Sequence, residues 1–252
     1  MTIKKKNGIY NLLAVVLAVA LWKILSVAVN SEVLLAPPEA VIGRIFKMIF
    51  ESGFWGTVVY SLSKIMCGFS AGFVIGVFFG ILSGKFKIAE TLLKPFVITS
   101  KAVPIASFII LCLVWFPFEI LTVFISFLIV FPVMYTNVLE GIKSTDKNLT
   151  EMAELYSMPF FRKLLYIYLP EIKPYIISAS KTAIGMAWKA GVAAEVIGSV
   201  NGSIGEKLYE AKIYLKNADL LAWTAVIILL SLVLEKIFVF LLKAVFGGIF
   251  KL

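Results

Sequence analysis

EMAELYSMPFFRKLLYIYLP, Glu151 to Pro170, decides how this chain is read. It is a charged insert late in an apolar sequence, with hydrophobic runs on both sides. A segment of this kind is built for water, or for a partner that meets it in water. Asn148 followed by Glu151 has the spacing of a helix N-cap with a capping-box acid. Pro159 interrupts the run, which predicts two short helices rather than one long one. In the second, Phe160, Phe161, Leu164, Leu165 and Tyr168 fall on one side and Arg162 and Lys163 opposite. Pro170 suits the turn that ends that helix. Two amphipathic helices at a membrane face either dock into a partner's groove or rest on lipid headgroups.

The surroundings make the membrane reading firm. The chain has 252 residues, 61% of them hydrophobic and only 15% charged, with mean hydropathy +0.99. That composition belongs to a protein whose solvent is the bilayer. The net charge of +9 comes from basic residues set between apolar runs. They are not clustered with exposed aromatics, so they orient the chain in a membrane and do not bind nucleic acid. With no His and two Cys, metal and thiol chemistry are poorly supplied and no metal site is expected. Cys67 and Cys112 lie in apolar runs and read as small core residues, not as a disulfide. The apolar run after Lys4, Lys5 and Lys6 is too long for a signal peptide and reads as a retained span.

A spanning helix needs about 20 mainly apolar residues. Candidates are Ile9–Val29, Thr57–Leu82, Val103–Phe116, Ile120–Ile142, Ile172–Val200 and Leu220–Phe246. Pro95 and Pro104 break the approach to the short third one. The expectation is an all-α membrane protein with about six transmembrane helices and both termini on one side. With the N-terminus in the cytoplasm, fourteen Lys/Arg fall in cytoplasmic segments. Five fall outside: Arg44, Lys47, Lys207, Lys212 and Lys216. This bias favours cytoplasmic termini and a cytoplasmic Glu151–Pro170 loop. Between the first two spans, Pro37 and Pro38 open an amphipathic helix whose apolar face is Ile42, Ile45, Phe46 and Ile49, expected at the outer interface.

The second span carries Gly68, Gly72, Gly76, Gly80 and Gly84, five glycines four apart. Such a ridge lets another helix backbone approach closely. It serves static packing or a contact that slides during work. Gly84–Lys85 is not a phosphate loop, because Phe86 replaces Ser or Thr. In the fifth span Lys181, Trp188 and Glu195 are seven apart and share a stripe, with Lys189 about a quarter-turn from Trp188. Intramembrane charges face a bundle interior, a cavity or a partner charge. Lys189 and Glu195 therefore line a path, pair with each other, or snorkel. After that span, the segment with Gly202 and Gly205 reads as an ordinary outer loop.

The Glu151–Pro170 stretch resembles the EAA loop of permease subunits of ATP-driven (ABC) importers. That loop reads Glu-Ala-Ala, three residues, Gly, nine residues, Ile, one residue, Leu-Pro. Glu151, Ala153, Ile167, Leu169 and Pro170 match it; Met152 stands where the family prefers Ala, and Ser157 where it prefers Gly. Ala187–Trp188, the AEVIG of Ala194–Gly198, LLAPPEAVIG at Leu34–Gly43 and the glycine-rich second span resemble the branch that serves nitrate, sulfonates and taurine. The resemblance implies a single transmembrane permease domain over residues 1–252, with a tail at 1–8, a core at 9–246 and a cytoplasmic coupling loop at 143–171. It implies that Glu151, Ala153, Ser157, Ile167, Leu169 and Pro170 couple to ABC ATPase subunits, which use the ATP. With it, the path reading of the fifth-span stripe takes in Lys181, Trp188, Lys189 and Glu195 beside the structural one, and the segment with Gly202 and Gly205 is implied to dip back toward the path on the outer side. It also implies a second permease protomer in a homodimer, an extracytoplasmic substrate-binding protein, a multi-pass place in the plasma or inner membrane, no catalytic residue and no cofactor on this chain.

Three other classes remain to be weighed; one, a structural or sensory membrane protein without a transport role, would make the EAA spacing a coincidence. The energy-coupling membrane subunit of a vitamin transporter carries Ala-Arg-Gly-type motifs, and the sequence has none. An integral-membrane enzyme needs a catalytic constellation, which a chain without His or a clustered Ser/Lys/Asp set does not offer.

Overall fold

The structure, a computed structural model, describes residues 2–249. Met1 and Lys251 lie outside them, as do the side chains of Lys4, Lys5 and Lys6. Among the described residues every regular element is helical. In order they are α1 (Thr2–Val29), α2 (Pro38–Ile49), α3 (Phe54–Lys85), α4 (Lys87–Ala102), α5 (Ile105–Trp115), α6 (Phe118–Lys143), α7 (Lys147–Leu155), α8 (Phe160–Lys163), a π turn (Leu164–Tyr168), α9 (Leu169–Gly198), α10 (Ile204–Ile213) and α11 (Asn217–Ile249). The stretch expected as a tail before Ile9 is helix from Thr2 onward.

The glycine ridge of α3 faces α6. A Cβ added at Gly68 would lie 2.2 Å from the Val123 carbonyl oxygen and 2.8 Å from Ser126 Cβ. At Gly72, Gly76, Gly80 and Gly84 it would lie 2.7–2.8 Å from Val130, Met134, Val138 and Ile142. Each glycine thus meets the residue 58 positions later. A constant offset means that α3 and α6 run in the same direction. Rows four apart on both helices are the packing class in which small residues let two backbones close up. Tyr135 Oη donates to Ser83 Oγ at 3.1 Å beside the ridge. Helix α9 runs the other way along α6: Gly141 meets Ile172, Gly191 meets Ser126 and Gly198 meets Leu121.

Two parallel neighbours need a return crossing between them, and α4–α5 supplies it. The two limbs bend by 109°. Pro104, with φ −59°, removes a backbone donor and forces Val103 into extended geometry, which ends α4. Pro95 lies inside α4 and does not break it, contrary to expectation. Helices α3, α6 and α11 are each long and apolar enough to cross a bilayer, and the bent pair makes a fourth if it is one broken span. The apolar part of α1 is the shorter Leu13–Val29. Helix α9 has 30 residues, but Glu171, Lys173, Lys181, Lys189 and Glu195 lie along it. These charges, the 109° break and the short apolar stretch of α1 are why, among the described residues, length and apolarity alone mark out fewer crossings than six.

At the other end, α2 begins at Pro38. Its packed line is Val41 and Met48, with Ile45 and Ile49 partly buried, while Ile42 and Phe46 are exposed and turn away from the bundle. The expected apolar face is therefore split between protein and surroundings. Arg44 joins α2 to the start of α11 by reaching Glu51 and Asp219. Glu51 first and Asp219 next raise its pKa above the ordinary value, against the opposing effect of burial. Trp22 Nε1 donates to the Ala36 carbonyl at 3.1 Å, and Asn217 Nδ2 donates to those of Val33 and Leu34 at 2.9 and 2.7 Å. Cys112 is buried, but Cys67 is exposed and is not the core residue expected.

Candidate functional site

The segment from Lys147 to Tyr168 forms a hairpin at the shared end of α3 and α6. Its first helix starts two residues earlier than the capping pattern implies. Asp146 is the N-cap and accepts from Asn148 N–H at 2.9 Å, so Asn148 lies inside α7 and forms no capping box with Glu151. Asp and Asn cap equally well, and only the chain's path from Lys143 selects between them. Helix α7 closes in a Schellman turn: Met158 N–H donates to the Ala153 carbonyl at 2.9 Å and Ser157 N–H to that of Glu154 at 2.9 Å. Ser157 occupies the left-handed position with φ 49°. The turn asks for glycine there.

The exit is not a stop. Helix α8, the π turn and α9 are continuous, and Pro170 sits in the first turn of α9 instead of ending a helix. Proline in a regular α-ladder clashes with the carbonyl four residues back. The π turn just before it, closed by Leu169 N–H on the Leu164 carbonyl, widens the ladder at that point. Within the hairpin Ala153 and Ile167 are buried, and Leu169 packs against the main core. Glu151 is exposed on α7 beside Met152, Leu155 and Tyr156, which are also exposed. The matched motif therefore divides into residues that shape the hairpin and one acid that it presents. Phe161 and Tyr166 stand out from the surface, whereas Lys163 turns inward to pair with Glu154 at 3.4 Å. The apolar and basic sides expected for the second helix are thus not separated. A cavity of about 360 Å³ lies at the hairpin's root, lined by Gly84, Ile142, Met158 and Leu164 among others. Lys85 crosses it with its ammonium 3.9 Å above the Phe160 ring.

Along α9 the four singled-out residues fall into two environments. Lys181 and Lys189 are exposed. Trp188 is buried and its Nε1 donates to the Ile227 carbonyl at 3.0 Å, tying α9 to α11. Glu195 is fully buried, and its Oε2 accepts from Ser61 Oγ at 2.8 Å and Gly205 N–H at 3.2 Å. It forms no ion pair with Lys189: six residues along a helix of 3.6 per turn puts the two about 120° apart. Nor does its carboxylate face an open path within this chain, because α3, α9 and α10 enclose it. The spacing arithmetic was available in the sequence. Ser61, the partner that matters, carried no signal there.

The segment after α9 folds back. A Cβ on Gly205 would lie 2.3 Å from Glu195 Cβ and 2.5 Å from Val196 N, so α10 rests on the α9 backbone. A second cavity, of about 570 Å³, opens between α10 and the starts of α3 and α11; Arg44, Glu206, Lys207, Asp219 and Trp223 line part of it. Among the described residues no cluster suited to a metal ion occurs.

Comparison with known proteins gives these features a place. The taurine transport system permease protein of Escherichia coli is 27% identical, over 88% of this chain and 82% of its own. A Bacillus subtilis protein named for aliphatic sulfonates transport is 26% identical, over 83% of this chain and 76% of its own. The bicarbonate transport system permease protein of Synechococcus elongatus is 30% identical over 63% and 57%. The sequence profile of one family, described as the binding-protein-dependent transport system inner membrane component, matches residues 72–249. That stretch holds the glycine ridge from Gly72 onward, the bent pair, the hairpin and α9 to α11, and the chain belongs to this family, as a permease subunit of ABC importers.

Proposed function

We propose that this chain forms the translocation path of an ATP-driven importer and couples to a separate ATPase through the outer face of α7. The observation that carries the coupling role is the division of labour in the hairpin: Ala153, Ser157, Ile167, Leu169 and Pro170 set its shape, and Glu151 is left presented with Met152, Leu155 and Tyr156. An apolar patch around one acid suits a groove with a basic residue at its floor. ATP is used by the partner subunit, and this chain binds no cofactor. The crossings are α1, α3, the α4–α5 pair, α6, α9 and α11, with both termini cytoplasmic. The parallel course of α3 and α6 and the antiparallel course of α9 support this order, as does the distribution of Lys and Arg.

A homodimer around a central path and an extracytoplasmic binding protein complete the assembly. Lys181 and Lys189, exposed on α9, would face that path. The relatives named for taurine, sulfonates and bicarbonate support a small oxyanion-bearing solute as the substrate. ATP binding closes the ATPases, the hairpin moves with them, and the path changes sides.

Pull-down of the detergent-solubilised chain with the ATPase co-expressed from the same host tests the reading. The wild type retains the ATPase. A folded wild-type chain that never retains one would overturn the proposal.

A further inference from the structure

We propose that Glu195 is a positioning residue that makes α10 move as one body with α9 and α3, so that motion entering at the hairpin reaches the outer mouth. This rests on the permease reading above. Residue 195 holds both ends of the connection between α9 and α10. Its carbonyl accepts from Val200 N–H at 3.1 Å, closing α9 over Ser199 at φ 48°. Its side chain receives the start of α10. Gly205 N–H reaches Glu195 Oε2 at 3.2 Å, and Ile204 N–H reaches Ser61 Oγ at 2.9 Å, while Ser61 Oγ–H donates to the same Oε2 at 2.8 Å.

The first two helical amides of α10 are therefore satisfied by one Ser61–Glu195 unit. A carboxylate also suits the positive end of a helix dipole. The absence of a side chain at Gly205 is what lets the two backbones meet.

The lever is continuous. Helix α9 follows the π turn of the hairpin directly and has 30 residues, which is about 45 Å at 1.5 Å per residue. Its inner end is the hairpin, and Glu195 lies in the last turn at its far end. Helix α10 in turn forms one wall of the 570 Å³ outer cavity, through Glu206, Lys207, Glu210 and Ala211. Displacing α10 from α9 would change that mouth without touching the hairpin.

A path-lining charge and a positioning acceptor respond oppositely to Glu195→Gln. Glutamine keeps one acceptor oxygen and loses the charge. The other oxygen, Oε1, accepts no hydrogen bond from the described residues, so an amide nitrogen there breaks no existing bond while adding two buried N–H donors. The experiment uses the complex with its ATPase and a single reporter cysteine at Tyr209, with Cys67 and Cys112 replaced. The readout is the change in thiol labelling rate on adding a non-hydrolysable ATP analogue.

Wild type and Glu195→Gln are expected to show the same nucleotide-dependent change. Glu195→Ala is expected to lose it while the ATPase stays bound and hydrolyses ATP. Should Glu195→Ala not fold, Ser61→Ala, which removes one donor to Glu195 and the acceptor of Ile204 N–H, is expected to reduce the change. The proposal is overturned if Glu195→Gln loses the response, if Glu195→Ala or a folded Ser61→Ala keeps it in full, or if the wild type shows none while holding its ATPase. Failure to retain any ATPase overturns the permease reading instead.

Discussion

Along α3, five glycines hold α6 at backbone distance from Gly68 to Gly84. Along the hairpin, the turn residue is a serine at φ 49°, the exit is a π turn, and Leu155, Tyr156 and Phe161 are bare. The first region is completed by this chain alone and leaves no freedom in register. The second is held by its Schellman turn, the Lys163–Glu154 pair and the burial of Ala153 and Ile167, and leaves Leu155, Tyr156 and Phe161 uncovered. A transporter needs both: a body that moves without deforming, and a surface whose energy is settled by a partner. Mutations that fill the ridge are expected to act on folding, whereas mutations in the hairpin are expected to act on assembly.

The largest effect belongs to the ridge. Gly76→Leu places a Cβ 2.7 Å from Met134 Cβ and 2.9 Å from the Phe131 carbonyl oxygen, with three more carbons to house. Overpacking costs about 1–3 kcal/mol where side chains can move and more where backbone is met. The expected outcome is loss of the folded protomer, read as failure to elute as a monodisperse peak in detergent. Gly43→Ala is the contrast. Nothing lies within 4 Å of its added Cβ, and helix propensity favours alanine by up to about 1 kcal/mol. A normal melt for Gly76→Leu would refute the rigid-body half of the comparison.

Next comes Glu151→Ala. Removing one partner of a buried charge pair at an interface costs about 2–5 kcal/mol, while a rim pair costs little. The expected result is loss of ATPase on pull-down with the melting temperature of the chain unchanged, since Glu151 is exposed in the protomer. Full retention of the ATPase would place this acid outside the contact.

How much of this the sequence disclosed depends on how local each feature is. Membrane class, family and hairpin were legible because hydropathy and fixed spacing are local properties. The ridge was legible as a ridge, but not its partner: the 58-residue offset to α6 is a relation between distant segments. Pro170 read as a stop because proline defeats an α-ladder, and the π turn that accommodates it has no residue signature of its own. Pro95 likewise read as a break and lies inside a helix. Asn148 and Asp146 were both competent caps. Glu195 looked like a partner for Lys189, yet the two lie on different faces, and the donors it uses come from α3 and α10, 134 and 10 residues away along the chain.

A smaller effect is expected at Lys189, on the exposed side of α9. If it faces the path, Lys189→Met reduces uptake into proteoliposomes of the solute that the wild type transports. Assembly with the ATPase and the melting temperature stay as they were, because no ion pair or hydrogen bond to the described residues is lost. Unchanged uptake assigns Lys189 to snorkelling and removes it from the path.

The smallest effect is the most direct test of how the hairpin is built. Ser157 sits where an L-residue loses about 1–2 kcal/mol relative to the right-handed region, and glycine escapes that cost while gaining freedom in the unfolded chain. The two partly cancel, so Ser157→Gly is expected to stabilise the turn by less than about 1 kcal/mol. Melting of the whole chain would barely register this. Hydrogen exchange at the Met158 and Ser157 amides, which close the Schellman turn on Ala153 and Glu154, should slow. Ser157→Val provides the opposite arm, because a β-branched residue tolerates positive φ worst; exchange there should quicken and ATPase retention should fall. If glycine speeds exchange, or valine leaves it untouched, the left-handed turn is not what holds α7 in place to present Glu151.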